Sequence, residues 1–219
     1  MHPFTRSRGS ARLTVLGILV TALAAGFGFW LSQRITTPGP AGTPADGLQA
    51  TLVYPQPRPL PPFRLDGLEG SIGPEALAGR WTLVFIGFTH CPDVCPTTLA
   101  LLARVLASFD DAPAERRPQV LFVSVDPERD SPQRTAEYAH YFSPAILAAT
   151  ADHARLAPFT RSLGMVYMQT SLEGGGYTVD HSASLAVIDP QGRLTGLIRP
   201  PLDPDRIAAD LRRLMGASG

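Results

Sequence analysis

The 219-residue chain contains no lysine; all nineteen basic residues are arginine, matched by nineteen acidic ones, so the net charge is zero. A neutral chain lacks the basic face that phosphate neutralisation requires, which argues against nucleic acid as a partner. Cysteine is almost absent too. Two residues cannot build a disulfide-rich scaffold, and both lie in one stretch, Cys91-Pro92-Asp93-Val94-Cys95. A bridge across so short a loop would restrain the unfolded chain little, so the pair reads as chemical rather than structural. No internal repeat is present.

What is abundant sits at the N-terminus. Arg6, Arg8 and Arg12 precede an uncharged run from Leu13 to Leu31. As a helix that run would be roughly 28 Å long, close to the thickness of a bilayer's hydrocarbon core. Positive charge before it keeps the N-terminus cytoplasmic. The expected organisation is a cytoplasmic N-terminus (1–12), a transmembrane anchor (13–31), a Pro/Gly-rich linker (32–59) and an exported domain (60–219). A cleaved signal peptide competes with the anchor, because Ala22-Leu23-Ala24 has the small-x-small form of a cleavage site; the length of the apolar run favours retention. The linker, rich in Pro, Gly, Ala and Thr, is expected to form neither helix nor strand.

In the domain, Trp81–Phe88 and Val120–Val125 read as strands buried on both faces. Leu99, Leu102, Val105, Leu106 and Phe109 recur at helical spacing after Cys95. Ser131-Pro132 and Asp152 open two further helices. Met165–Thr170 reads as a strand, Glu173–Gly176 as a flexible turn, and Ala183–Ile188 with Leu194–Ile198 as a hairpin about Asp189–Gly192. A last helix starts at Pro204 with Asp203 as its cap. This order predicts an α/β layer structure of thioredoxin-like type.

The cysteines fall between a buried strand and the helix it feeds, where free N–H groups and the helix dipole favour thiolate. Thiolate is both nucleophile and metal ligand. A dithiol oxidoreductase usually carries Cys-x-x-Cys; here three residues intervene, about one helical turn, which leaves room for an ion between the sulfurs and mildly favours metal over redox work. Two thiolates suit Cu(I) or zinc, and a nitrogen ligand must then come from a histidine. His2 lies before the apolar run. His140 and His153 read as solvent-facing helix residues. His90 adjoins Cys91 and is either a ligand or a loop residue. His181 stands before a strand between Asp180 and Ser182, groups suited to orienting an imidazole, or else is an ordinary loop histidine. Met165 and Met168 read as core residues rather than thioether ligands.

Three blocks resemble the Sco/SenC family of copper proteins: Phe88–Leu99 around the cysteines, Val123–Pro132, and Tyr177–Ser182. They occur in family order over about Leu60 to Leu214, behind a fitting anchor and tether. The resemblance implies Cys91, Cys95 and His181 as copper ligands, Asp180 as a supporting carboxylate, and Asp93 as a helix cap or an influence on the thiols. It implies a thioredoxin-like fold and a role in delivering copper to, or maturing, the dinuclear centre of cytochrome c oxidase subunit II, from the inner membrane with the domain in the periplasm. Two alternatives stay open: a thiol–disulfide oxidoreductase acting on the same target with Cys91 as attacking thiol, and a peroxidase, which would need a cation such as Arg161 or Arg199 brought beside the sulfur.

Overall fold

Two parallel strands, β5 (Thr82–Gly87) and β6 (Gln119–Ser124), form the centre of the sheet, and every residue of both is buried. They pair in register from Thr82↔Gln119 to Gly87↔Ser124, so both chains leave the sheet at the same level. The structure, a computed structural model, describes residues 15, 19, 23, 26, 43–44 and 47–217. It divides into units 1–41 and 42–219, and the sheet and its covering helices all belong to the second. The anchor expected over 13–31 lies outside the described residues apart from Val15, Leu19, Leu23 and Gly26, which are helical. Among the described residues no helix is long and apolar enough to cross a membrane.

Around the centre, β1 (Thr43–Pro44), β2 (Thr51–Pro59), β3 (Leu65–Gly67), β4 (Gly70–Ile72), β7 (Ile146–Thr150), β10 (Leu185–Ile188) and β11 (Arg193–Ile198) complete a nine-stranded sheet in the order β1-β2-β11-β10-β5-β6-β7-β3-β4. β7 extends the parallel run; the remaining pairings are antiparallel. A separate two-stranded ribbon joins β8 (Tyr167–Ser171) to β9 (Tyr177–His181). Helix α1 (Val94–Ala107) packs on β6 and against both α2 (Pro132–Phe142) and α4 (Pro204–Ala217), while α3 (His153–Ser162) joins β7 to β8.

The helix starts follow the sequence signals. Ser131 accepts from the Arg134 N–H with Pro132 at the first helical position, and Asp152 accepts from the Arg155 N–H. Asp203 accepts from the N–H groups of Asp205 and Arg206. Asp93 holds the corresponding position before α1, but its side chain makes no capping bond there.

The linker expected over 32–59 gives way to a strand at its C-terminal end. Residues Thr51–Pro59 pair with β11 although they include Pro55, Pro57 and Pro59. Val53 faces Gly196 and Arg58 faces Leu194, so the register jumps between them and the chain around Pro55 and Pro57 bulges out of the ladder. A residue without an N–H is tolerated where no ladder bond is needed. The buried Asp210 of α4 fixes the approach to this strand, accepting from the N–H groups of Gln49, Ala50 and Thr51 at 2.8 Å each. The three-stranded element β3–β4–β7 and the strand β9 go beyond the sequence reading.

Candidate metal centre

Helix α1 buries Cys95, Thr98, Leu99, Leu102, Val105 and Leu106. Their three- and four-residue spacing is a single helical stripe, so Cys95 heads the core face of α1 and is fully buried. Four residues earlier, Cys91 sits in the loop from β5, partly exposed, and its sulfur accepts the Cys95 N–H at 3.4 Å. The thiol therefore takes up one of the free donors at the helix N-terminus. Both cysteines are free.

His181 arrives by a different logic. Strand β10 runs antiparallel to β5 with Ala186 opposite Val84. Residues preceding β10 therefore continue toward the end of β5 that feeds the cysteine loop. The His181 ring stands edge-on to Phe85 and Phe88, with centroids 5.9 and 6.0 Å away. Its Nδ1 lies 3.1 Å from the Ser182 carbonyl, which takes an N–H from that nitrogen and leaves the Nε2 lone pair free. Nε2 is 3.3 Å from the Cys95 sulfur. The ligand atoms of Cys91, Cys95 and His181 all lie within 4.8 Å of one another. An ion about 2.3 Å from sulfur and about 2.0 Å from nitrogen, at the centre of a trigonal set, needs edges of about 4.0 Å between sulfurs and about 3.7 Å between sulfur and nitrogen. The three atoms thus fit one ion with small side-chain adjustment, and two sulfurs with one imidazole suit a soft or borderline metal.

Burial lowers the His181 pKa, against smaller raising effects of the Ser182 carbonyl and the Asp180 charge, so the ring is held neutral. Burial pushes the Cys95 thiol well above its ordinary range, with Cys91 and Asp130 acting in the same direction. A metal held at Cys95 would therefore have to displace its proton.

Asp180 acts on the imidazole through its charge, with no described hydrogen bond between them. Successive strand residues face opposite sides, and Asp180 is exposed on the far side of β9, accepting from the Thr170 hydroxyl. Nδ1 of the ring bonds the Ser182 carbonyl. Asp93 is exposed. His90 turns from the sulfurs toward the Thr89 hydroxyl (3.2 Å), Arg134 (3.4 Å) and the Asp130 carboxylate (3.7 Å). His140 is exposed as expected, but His153 bridges the Tyr167 hydroxyl and Glu128, each at 2.9 Å. Met165 is in the core, whereas Met168 is 64% exposed on the ribbon. Arg161 and Arg199 are exposed and take part in none of the described hydrogen bonds of either cysteine.

Sequence reasoning passed over Gly87. A Cβ there would lie 2.7 Å from the Cys95 sulfur and 3.0 Å from the Phe122 ring. Glycine closing an otherwise bulky apolar strand is the signal that marks such a close approach.

Comparison with known proteins identifies the family. The sequence profile described as SCO1/SenC matches residues 55–216. The mitochondrial SCO2 homologue of Bos taurus is 35% identical over 140 residues, covering 64% of this chain and 53% of its own length; the chain spans about half of that relative. The solution structure of apo Sco1 from Thermus thermophilus superposes with a TM-score of 0.68 at 35% identity, covering 78% of this chain and 99% of its own. Arabidopsis thaliana ScoI, solved with copper bound, gives a TM-score of 0.64 at 31% identity, covering 70% and 98%. The profile takes in residues 55–216, most of the chain, and the likeness extends through 99% and 98% of these solved chains, so the chain belongs to the SCO1/SenC family.

Proposed function

We propose that this protein binds one copper ion on Cys91, Cys95 and His181 and passes it to the dinuclear copper centre of cytochrome c oxidase subunit II. It would do so from the inner membrane, held there by the 13–31 segment with the domain in the periplasm. The convergence of two sulfurs and one unprotonated imidazole nitrogen within 4.8 Å carries the metal reading. The copper-bound state of the Arabidopsis relative supports the choice of metal, and the family resemblance supports the target.

The residues divide the work. Cys95, buried in the stripe of α1, is the fixed ligand. Cys91 and His181 are partly exposed and can yield. The Ser182 carbonyl keeps Nδ1 protonated so that Nε2 faces the sulfurs. Three ligands leave a position through which a partner's ligand can enter, and copper then moves by ligand exchange without being released. The test is copper loading of the reduced protein, wild type against Cys91→Ser, Cys95→Ser and His181→Ala, read by absorption and electron paramagnetic resonance. One copper per chain is expected for wild type, with Cu(II) binding weakened at least a hundredfold in His181→Ala. Unchanged affinity in that variant would overturn the ligand assignment.

The partly exposed Cys91 beside the buried Cys95 also favours a second role on the same target. The Cys91 thiolate would attack a disulfide of the subunit, and Cys95 would resolve the mixed disulfide. Two target thiols and a Cys91–Cys95 disulfide result. Here Cys91→Ser abolishes target reduction and His181→Ala leaves it intact.

A further inference from the structure

Loop Asp126–Asp130 leaves β6 beside the end of β5, because Ser124 pairs with Gly87. The Asp126 carbonyl accepts the N–H groups of Arg129 and Asp130 at 3.1 and 2.9 Å, and this turn directs Asp130 back into the domain. Asp130 is 1% exposed, and its carboxylate accepts from the Thr89 N–H at 2.8 Å, the Thr89 hydroxyl and the Ser124 hydroxyl. A buried carboxylate is costly unless hydrogen-bonded. Two of these three donors belong to Thr89, two residues before Cys91.

The other side of the loop holds the histidine ribbon. The buried Asp126 accepts from Arg129 Nε and, at 2.8 Å, from the Tyr177 hydroxyl. Arg129 Nη1 donates to the Tyr177 carbonyl at 3.2 Å. The guanidinium lies 4.0 Å over the Tyr177 ring and 5.6 Å from the Phe88 ring. Its Nη2 is buried without a hydrogen-bond partner. Tyr177 begins the strand that ends at His181, and the Phe88 ring meets the His181 imidazole. Glu128 adds a third grip, accepting from Gln169 of β8 at 3.1 Å and contacting His153.

We infer that Asp126–Asp130 is a bracket that positions the cysteine loop and the histidine ribbon together: Asp130 sets the Cys91 arm, and Arg129, wedged between Phe88 and Tyr177, sets the His181 arm. Neither is a ligand. A guanidinium with one nitrogen buried and unpartnered is a poor way to fill a seam; its planar fork and two aromatic neighbours make it a good way to fix one. The two arms are thereby coupled, so disturbing one shifts the other. This inference rests on the reading of Cys91, Cys95 and His181 as one site.

The test uses the full chain with Arg129→Lys and Asp130→Asn, singly and together. Arg129→Lys keeps the charge but loses the fork and the flat stack. In copper-loaded protein each variant shifts the sulfur-to-Cu(II) absorption band and speeds copper release to a chelator at least tenfold. The double variant changes release by less than the product of the singles, as coupled sites require. In metal-free protein, Asp130→Asn shifts the Cys91–Cys95 equilibrium with glutathione at least tenfold, and Arg129→Lys moves the ¹⁵N resonances of His181. Circular dichroism of both variants stays native. If wild type binds no copper, the functional reading fails and the metal-free measurements alone decide the bracket. Unchanged thiol equilibrium and unchanged His181 resonances, or native copper spectra and release in both variants, overturn it.

Discussion

Replacing Gly87 by alanine tests whether the cysteine site depends on close packing against β5. Gly87 and Gly196 are not among the glycines with positive φ, so alanine adds a methyl group without backbone strain. At Gly87 that methyl would stand 2.7 Å from the Cys95 sulfur. Ordinary contact distances of about 3.5–4.0 Å require the sulfur to move by about 1 Å. The Phe122 ring, 3.0 Å from the same methyl, leaves no slack on its side, and His181 Nε2 is already 3.3 Å from the sulfur. Overpacking costs about 1–3 kcal/mol, and the lower entropy of the unfolded chain returns about 0.4–1 kcal/mol. The net loss of about 1–2 kcal/mol lowers the urea midpoint. The effect on metal is larger, because a shift of about 1 Å is several times the ~0.2 Å latitude of a metal–ligand distance. Competition with a chromophoric Cu(I) chelator should show affinity down at least tenfold. Gly196→Ala is the control: its methyl runs into the Leu52 carbonyl oxygen, in the β2–β11 pairing. It should destabilise without altering copper affinity. Native affinity in Gly87→Ala, or equal losses in both variants, would refute the reasoning.

Asp210→Ala removes the acceptor of three N–H groups and should cost about 2–4 kcal/mol; a lower urea midpoint with unchanged m and unchanged copper affinity is the expected result. The depressed His181 pKa makes the unfolded chain the better proton acceptor, so metal-free stability is present above the ordinary histidine value of about 6.5 and is lost as pH falls below it. The fall in urea midpoint from pH 7 to 5 should shrink in His181→Gln, and an identical fall in both proteins would count against the burial argument. Because the Cys95 thiol is held protonated, copper binding should release its proton and strengthen as pH rises; titration calorimetry in buffers of different ionisation enthalpy measures this, and affinity flat from pH 6 to 8 would contradict it.

The parts of the fold that were legible in the sequence are those with one dominant period or one strong stop signal. β5 and β6 announce themselves as apolar runs, and α1 by its stripe after Cys95. Ser131, Asp152 and Asp203 mark helix starts whose bonds the structure contains. β2 was illegible because three prolines outweigh its β-branched residues locally, while the bulge that tolerates them depends on β11, well over a hundred residues away. β9 was illegible because its alternating polar residues gain their strand geometry only from β8 across a glycine turn. The proposed metal ligands divide in the same way. Cys91 and Cys95 are neighbours in sequence, and spacing alone puts them on one turn. His181 joins them only through the antiparallel β10–β5 pair, which no local pattern encodes, and its assignment in the sequence came from the family resemblance.

That division has a chemical consequence. Cys95 is fixed by the core of α1 and by the missing side chain at Gly87, so its position is as rigid as the sheet. His181 stands at the end of a two-stranded ribbon outside that sheet, and isolated ribbons are marginally stable by themselves. The contacts from Asp126, Glu128 and Arg129 therefore set how firmly His181, the proposed third ligand, is held. On the proposed function, the site must hold its ion tightly and still surrender it to an incoming ligand. Placing two ligands at the start of a core helix and the third on a bracketed ribbon separates these demands. Loosening the ribbon changes release first and reaches the Cys91 arm through the Asp126–Asp130 loop, while Cys95 stays fixed in the core face of α1.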